Sequence, residues 1–377
     1  MRNYRLSILC LFLLSASALA TPVRAQSAPT PRTPAEASEH AAVSALPTSD
    51  GVVVFNLRRL LTEALPRVLP AGSDQHLDAY LGGLKLILGA DLRLVNSIAL
   101  GIKMPESAVS RREPAFSLTV HGSFNAGQVI SDLQYLFRQS YPQAIREEQH
   151  RGRRIVIFDV QDFINPPGST TLMSTIDLSL TELDANIIAV GRLADVKRTV
   201  DANDGYGQIS PALVRLATLR PKAIVSFAAL EPEVKEPAII TAGMQTEGDW
   251  LDTLDVIKEA SAFLELNEAG LELSMFARAR RAAQTPAMRK ALVQFVGLFG
   301  LQVKDPRIKG ALDGLRVEEQ GDEVRLSILL PQKAIASYIS DWQSRLTTDE
   351  SPLREPQLER PDLRRRPARK QRRRKRQ

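Results

Sequence analysis

Residues 178–192 read LSLTELDANIIAVGR, and residues 315–329 read LRVEEQGDEVRLSIL. Each stretch has apolar residues in alternation on both sides of a short polar turn, which is the pattern of a β-hairpin. A helical pattern follows each hairpin. Because strand, turn, strand and helix recur in one order, the sequence predicts that a single α+β unit occurs twice in the chain.

The segments that precede the two hairpins also recur in the same order. Each series begins with an apolar strand and a helix, continues with a strand pair, and reaches a second helix before the hairpin. The matched elements are the strands 51–57 and 222–230, the helices 58–69 and 250–259, the strand pairs 97–103 with 115–121 and 262–266 with 271–277, and the helices 125–138 and 286–299. This order favours a duplication, although any chain of alternating helices and strands can be aligned in a similar way.

These elements predict an α+β fold of two tandem related units, 49–208 and 209–346. Each unit is expected to be an antiparallel sheet with helices packed on one face, in a split βαβ or ferredoxin-like plan, because hairpins follow one another directly. The boundary is placed in the loop after NDGYG (203–207), which ends a predicted helix at 193–201.

The segment 1–25 predicts a secretory signal peptide. Two arginines precede an apolar run, Leu6 to Ala20, which is shorter than the roughly 20 residues of a spanning helix. We expect cleavage after Ala25, or alternatively after Ala20, and an uncleaved anchor is the remaining alternative. The mature protein is then periplasmic or secreted and has no transmembrane segment.

Cysteine usage restricts the chemistry of the exported chain. The single cysteine, Cys10, lies inside the apolar run of the signal peptide. The mature chain therefore has no disulfide framework, no thiolate nucleophile and no cysteine-bound zinc. The protein has to be held together by a conventional core.

Charge divides the chain into a body and a tail. The total net charge is +6, of which residues 1–25 carry +3 and residues 350–377 carry +8, so that residues 26–349 are left with −5. Residues 26–48, rich in Pro, Ala and Ser, predict a disordered leader, and residues 347–377 predict a disordered Arg-rich tail.

The tail predicts a binding site for polyanions. Arginine holds phosphate and carboxylate groups by two hydrogen bonds at once, and each basic residue close to an anionic membrane surface stabilises binding by about 1 kcal/mol. In an exported protein the expected partners are lipid head groups, lipopolysaccharide or acidic polymers. A solubilising tail with no dedicated partner is the alternative. The polyanion-binding residues are Arg364, Arg365, Arg366, Arg369, Lys370, Arg372, Arg373, Arg374, Lys375 and Arg376.

The sequence contains no recognised catalytic or metal-binding motif. The sequence has no zinc helix, phosphate-binding loop, dinucleotide fingerprint or nucleophile elbow. Glu148 and His150 lie on one face of a predicted strand, but flanking arginines favour a self-paired hairpin. DANDGYG (201–207) lacks the ligand spacing of a calcium loop and predicts a turn at the end of a helix. No catalytic residue, cofactor or metal is therefore assigned.

One stretch resembles a known group of proteins. ALPTSDGVVVFNLRRLLTEALPRVL (45–69) is similar to the first strand and helix of exported bacterial proteins of uncharacterised function, in which a Pro-x-x-Asp precedes a strand that ends in Asp/Asn-Leu. Pro47, Asp50 and Asn56-Leu57 occupy these places. The resemblance implies a duplicated α+β unit and export, and it implies no activity.

Three functions are consistent with the sequence. The first is a non-enzymatic envelope protein, a binding or scaffold protein, tethered to polyanions by its basic tail. The second is an exported hydrolase whose site lies between the two units. The third is a nucleic-acid-binding protein without sequence preference, since no aromatic residue follows Trp342 for stacking on bases.

Overall fold

The strands and helices below are those of a computed structural model, which describes residues 34–69, 77–79, 81–83, 85, 91–105, 114–141, 143–159, 177–230, 256–302, 305–337 and 340. The strands are β1 (Gly51–Phe55), β2 (Val95–Lys103), β3 (Ala115–Gly122), β4 (Ile145–His150), β5 (Arg153–Asp159), β6 (Asp177–Asp184), β7 (Ile187–Gly191), β8 (Ala223–Leu230), β9 (Ile257–Leu266), β10 (Gly270–Ala279), β11 (Arg316–Gln320) and β12 (Glu323–Pro331).

Helices connect or flank these strands. They are α1 (Pro34–Ser44), α2 (Leu57–Arg59, a π-helical turn at Leu60–Ala64, and Leu65–Val68), α3 (Ala126–Ser140), α4 (Leu193–Asn203), α5 (Pro211–Ala217), α6 (Thr285–Gln302) and α7 (Pro306–Asp313). Within the described ranges, no helix combines the length and the apolar character that crossing a bilayer requires.

All described strands belong to one antiparallel sheet with the order β11-β12-β10-β9-β8-β1-β2-β3-β7-β6-β5-β4. The predicted α+β class and antiparallel pairing are therefore confirmed. The arrangement as two separate sheets is not observed, because β1 pairs with β2 on one side and with β8 on the other. The first strand also pairs directly with the second, whereas a split βαβ unit places another strand between them.

The helices lie on both faces of the sheet, so the prediction of one covered face is wrong. Successive strand residues point to opposite faces. In β5, Val156 packs in a cluster with Ile130 of α3. Its neighbours Ile155 and Ile157 pack with Val196 of α4. The apolar run of β5 is buried from both sides, as in a sheet between two helical layers.

The largest core crosses the junction between the predicted units. Val52 of β1 packs in one cluster with Phe227 of β8, Phe263 of β9 and Leu326 of β12. The helices α1 and α5 contribute to this cluster, and α6 adds Met288. The core therefore unites residues that lie more than 200 positions apart in the chain.

Part of the predicted leader is ordered. Residues 34–44 form α1, so the prediction of a disordered segment over 26–48 is wrong for this stretch. The physical reason is burial: Ala42, Val43 and Leu46 are 0% exposed because the helix packs on β2 and β3. A second difference is at 250–259, where a helix was predicted, since Ile257 to Glu259 belong to β9.

Several predictions fall outside the described residues. These are the signal peptide 1–25, the leader before residue 34 and the Arg-rich tail 347–377. The predicted helix 250–259 is described only from residue 256.

Candidate functional site

A cleft of about 630 Å³ opens between α1 and α5. Glu39, His40 and Ser44 line it from α1, while Val214 and Arg215 line it from α5. Apolar residues before and after α5 complete the wall, among them Ile209, Leu219 and Pro221. The volume is in the range of small-molecule sites, which are concave and mostly apolar with a few convergent polar groups.

The α1 wall is positioned by close packing on the sheet. Thr119 of β3 donates a hydrogen bond from Oγ1 to the Ala42 carbonyl, at 2.7 Å. Gly101 of β2 leaves room for the chain that follows the helix, since a Cβ at this position would lie 2.6 Å from Ser49 Oγ and 3.5 Å from Leu46. These contacts fix the helix, which has 11 residues and is too short to be stable in isolation.

The α5 wall is joined to the chain that follows α1. Pro47 forms an isolated antiparallel bridge with Gln208, and the Thr48 backbone N–H donates to the Gly207 carbonyl at 2.7 Å. Ser210 then caps α5 by accepting from the Ala212 N–H, with proline at the first helical position. The two walls of the cleft are therefore held in place by the same pair of segments.

A buried carboxylate is among the residues that line the cleft. Glu39 is 3% exposed, and its Oε1 accepts a hydrogen bond from Nδ2 of Asn56. Asn56 also caps α2, because its Oδ1 accepts from the Arg59 N–H at 3.0 Å. Nη1 of Arg59 in turn donates to the Pro221 carbonyl at 3.4 Å. The position of this carboxylate is thus set by α1, α2 and the strand entry to β8.

An imidazole and a hydroxyl form a second polar pair in the cleft. His40 Nδ1 lies 3.1 Å from Ser44 Oγ, one helical turn further along α1. A nucleophilic serine needs such a base, but it also needs donors for the developing oxyanion. Ser44 lies at the negative end of the helix dipole, and the next two backbone N–H groups bond to Ala41 and Val43 carbonyls. The pair is therefore suited to hydrogen-bonding a ligand and poorly suited to acyl transfer.

A second cluster of charges joins the strands β9, β10 and β12. Arg278 pairs with Glu259, and its Nη2 lies 3.9 Å from Oε2 of Glu323. Glu323 is 0% exposed, and its Oε1 accepts from Nε of Arg325 at 2.7 Å. Burial raises the pKa of Glu323, although Arg325 and Arg278 oppose the shift. These groups pair with one another, so the cluster acts within the fold.

Glu148 and His150, which share one face of the predicted strand, each form an ion pair with a different residue. Glu148 pairs with Lys197, whereas His150 Nε2 lies 2.9 Å from Asp201 Oδ1. Asp201 also accepts from Arg151, which holds the pKa of this carboxyl below its usual range. The turn 201–207 follows a helix end, as predicted. The hairpin β4–β5 was expected to pair its charges within itself, but His150, Arg151 and Glu148 pair with Asp201 and Lys197 of α4. In the described part of the chain, no cluster of three or more His, Cys, Asp or Glu could hold a metal ion.

Sequence reasoning missed the cleft because it assigned the whole of α1 to a disordered leader. A signal was present: Thr33 precedes Pro34 and is followed three positions later by Glu36, which is a capping-box pattern at a helix start. Ser210-Pro211 is a similar start signal for α5. The ten predicted polyanion-binding residues, Arg364 to Arg376, lie outside the described residues.

Comparison with known proteins finds no matching family model and no matching curated protein. Among solved structures, crystal form I of TP0453 is similar with a TM-score of 0.39 and 9% identity, over 80% of this chain and 96% of that chain. Crystal form III has a TM-score of 0.41 and 8% identity, over 80% of this chain and 98% of that chain. At these scores, the likeness to TP0453 supports no inference about the fold or the function of this protein.

Proposed function

We propose that this is an exported, non-enzymatic binding protein whose body is held at anionic envelope material by its basic tail. The observation that carries the proposal is the division of charge, with +8 on residues 350–377 and −5 on residues 26–349. Ten basic residues between Arg364 and Arg376 repel one another and cannot be buried together. Their guanidinium groups match phosphate and carboxylate groups, so lipid head groups, lipopolysaccharide or acidic polymers are suitable partners.

The body of the protein is proposed to be a duplicated unit. Strand order supports this. Outward from the β1–β8 pair, the strands on one side are β1, β2, β3, β7 and β6, and those on the other side are β8, β9, β10, β12 and β11, in corresponding order. Register supports it as well, because one row of paired residues crosses the whole sheet and is apolar in both halves. The positions that correspond between the two halves, from the centre outward, are Val53 and Phe227, Leu100 and Ala262, Leu118 and Met275, Val190 and Leu326, and Leu180 and Val317.

An exported hydrolase with a site between the two units is the second candidate. The observation that favours it is the Ser44–His40 pair in the cleft between α1 and α5. The same geometry provides no oxyanion donors beside Ser44 among the described residues, which favours binding. Hydrolysis of short-chain esters by the full-length protein, abolished by Ser44→Ala, would establish the hydrolase instead.

The tethering proposal is tested by retention on anionic surfaces. Four forms are compared: the full chain, a chain without residues 350–377, a chain with the ten basic residues changed to Gln, and a chain with residues 364–376 in permuted order. Retention is measured on vesicles with and without anionic lipid and on duplex DNA, across a salt series. Since the attraction is electrostatic and without sequence preference, the permuted tail should bind as the native tail does.

We expect the deletion and the Gln variant to lose retention on anionic vesicles at low salt, while neutral vesicles retain none of the four forms. Retention that is unchanged by the deletion would overturn the tethering proposal. Binding to DNA without binding to anionic vesicles would favour the nucleic-acid alternative. In that case, each phosphate contact should add about −0.9 to the slope of log affinity against log salt.

A further inference from the structure

The strand β11 is an edge strand of the sheet, and it is open to solvent. β12 pairs with one side of β11, and no described strand pairs with its other side. All residues of β11 are exposed except Val317, which is partly buried. The outer backbone N–H and C=O groups of such an edge can form hydrogen bonds with a strand of another chain.

The charged side chains of β11 differ from those of β4, the opposite edge strand. On β4, the charges of Arg146, Glu147 and Glu148 are all engaged in ion pairs within the chain. On β11, Arg316 and Glu318 lie on one face of the sheet. Neither side chain forms an ion pair with any residue that the structure describes. The edge at β11 therefore has one positive and one negative group available on the same face.

These charges select one register for the association of two β11 strands. Two copies related by a two-fold axis perpendicular to the sheet pair antiparallel, and residues directly opposite each other lie on the same face. A register centred on Arg316 or on Glu318 places like charges opposite each other, which is destabilising. A register centred on Val317 places Arg316 of each copy opposite Glu318 of the other. Of these three registers, this is the one with two pairs of opposite charge.

The register centred on Val317 also continues the apolar row of the sheet. Val317 pairs with Leu326 of β12 and packs against the largest core. In the symmetric arrangement, the two Val317 side chains meet at the two-fold axis. Glu318 lies opposite Arg325 in its own chain, but Arg325 pairs with the buried Glu323. The carboxylate of Glu318 is thus available to a cation of a second copy.

We propose that this chain forms a symmetric dimer, in which two copies pair through β11 in the register centred on Val317. Because β11 begins at Arg316, the shared ladder consists of residues 316–318 of both copies, and Glu319 lies beyond the strand of the second copy. A ladder of this length is a small contact, so the dimer is reversible and forms at high protein concentration. The surface is separate from the basic tail.

Sedimentation equilibrium of the full chain over a range of protein concentrations tests the dimer. Glu318→Arg and Arg316→Glu each place like charges opposite each other twice, so each should raise the dissociation constant about tenfold. The double variant exchanges the two charges and restores both pairs, so its dissociation constant should return to the native value. Glu319→Arg makes the same change of charge outside the ladder. It is the matched control and should leave the dissociation constant unchanged.

Disulfide cross-linking tests the register. Directly opposite residues of an antiparallel pair have Cα atoms about 4.5–5.5 Å apart, which a disulfide can bridge. In a chain with Cys10→Ser, which has no other cysteine, Val317→Cys should form a covalent dimer on oxidation. The two copies of residue 319 are about 14 Å apart in this register. Glu319→Cys is therefore the control and should not cross-link under the same conditions.

The proposal is overturned if the chain sediments as a monomer at every concentration, or if Glu318→Arg and Arg316→Glu dimerise as the native chain does. A double variant that is as weak as the single variants, or a Glu319→Cys chain that cross-links as readily as Val317→Cys, also overturns it. If a charge variant loses its cooperative melting transition, the cross-linking result decides. Neither measurement uses vesicles or DNA, so failure of the tethering proposal would leave both tests intact.

Discussion

Asp50 and Asn56 stand at the two ends of β1, and each joins distant parts of the chain. Asp50 accepts hydrogen bonds from Lys103 Nζ at 2.8 Å and from the Met104 N–H at 2.7 Å, which ties the start of β1 to the end of β2. Asn56 caps α2 and holds Glu39. Together with the Pro47–Gln208 bridge, these contacts explain the Pro-x-x-Asp and Asn-Leu pattern by structure.

Glu323 is the clearest source of pH-dependent stability among single residues. Burial raises its pKa above the ordinary value of 4.5, with Arg325 and Arg278 opposing the shift. The folded state therefore keeps the proton to a higher pH than the unfolded state does. Because the folded state then binds more protons in this window, its stability falls as pH rises from about 4.5 through the raised pKa.

We predict that Glu323→Gln removes this dependence. The melting temperature of the variant should rise relative to that of the native protein as pH increases from about 4.5 to neutrality, since the amide stays uncharged. Glu319→Gln, at an exposed position on edge strand β11, is the control and should follow the native pH profile. Parallel pH profiles for the native protein and Glu323→Gln would contradict the prediction.

At the scale of elements, two glycines have opposite roles. Gly270 begins β10 with φ +152°, and a Cβ there would lie 2.0 Å from the Leu330 carbonyl oxygen of β12. Gly297 is exposed within α6, and a Cβ there would meet nothing within 4 Å. Gly270 is needed because the backbones of β10 and β12 approach closely there, whereas Gly297 only weakens the helix α6.

Gly270→Ala should therefore lower the free energy of unfolding by more than about 1 kcal/mol, because neither backbone can yield cheaply. Gly297→Ala should raise it by about 0.5–1 kcal/mol. Denaturant titration of both variants measures these changes in the free energy of unfolding, and both variants should have the m-value of the native protein. A tolerated alanine at 270, with stability equal to that of the native protein, would show that β10 and β12 do not approach in this way.

Elements were predictable where periodicity is local. A hairpin was predicted around Glu148 and His150, and β4 and β5 form it. Its turn has positive φ at Arg151 and Gly152, as a two-residue hairpin requires. A helix was predicted over 125–138, and the Asn125 side chain caps α3 by accepting a hydrogen bond from the Gln128 N–H. The helix α1 was missed, because its stability comes from packing on β2 and β3, more than 50 residues further along the chain.

For the whole molecule, sequence patterns indicated strands along the chain but could not show that the two predicted units share one sheet. The pairing of β1 with β8 joins Val53 to Phe227, and no local pattern encodes a contact at that separation. Likewise, the candidate site needed the contact between α1 and α5, which depends on the Pro47–Gln208 bridge. Periodicity shows which face of an element is buried. Long-range pairing determines which other element covers that face.

The continuous sheet leads to a prediction about unfolding. A chain of two independent units would unfold in two steps, because each core would melt at its own temperature. Here the largest core contains residues from both halves, and β1 and β8 are paired along five residues. Loss of either half would expose the apolar face of the other. The two predicted units should therefore unfold together in a single calorimetric transition.

Conservative core variants in each half test this directly. Phe263→Leu changes the large core, and Ile155→Val changes the cluster beside α4; both native side chains are 0% exposed. Ile155→Val should cost about 0.5–1.5 kcal/mol, and both variants should move the same single heat-capacity peak to lower temperature. Glu319→Gln, at an exposed position on edge strand β11, is the control and should leave the peak in place. Two peaks, of which each variant shifts only one, would mean that the halves melt separately and that the β1–β8 pairing does not couple them.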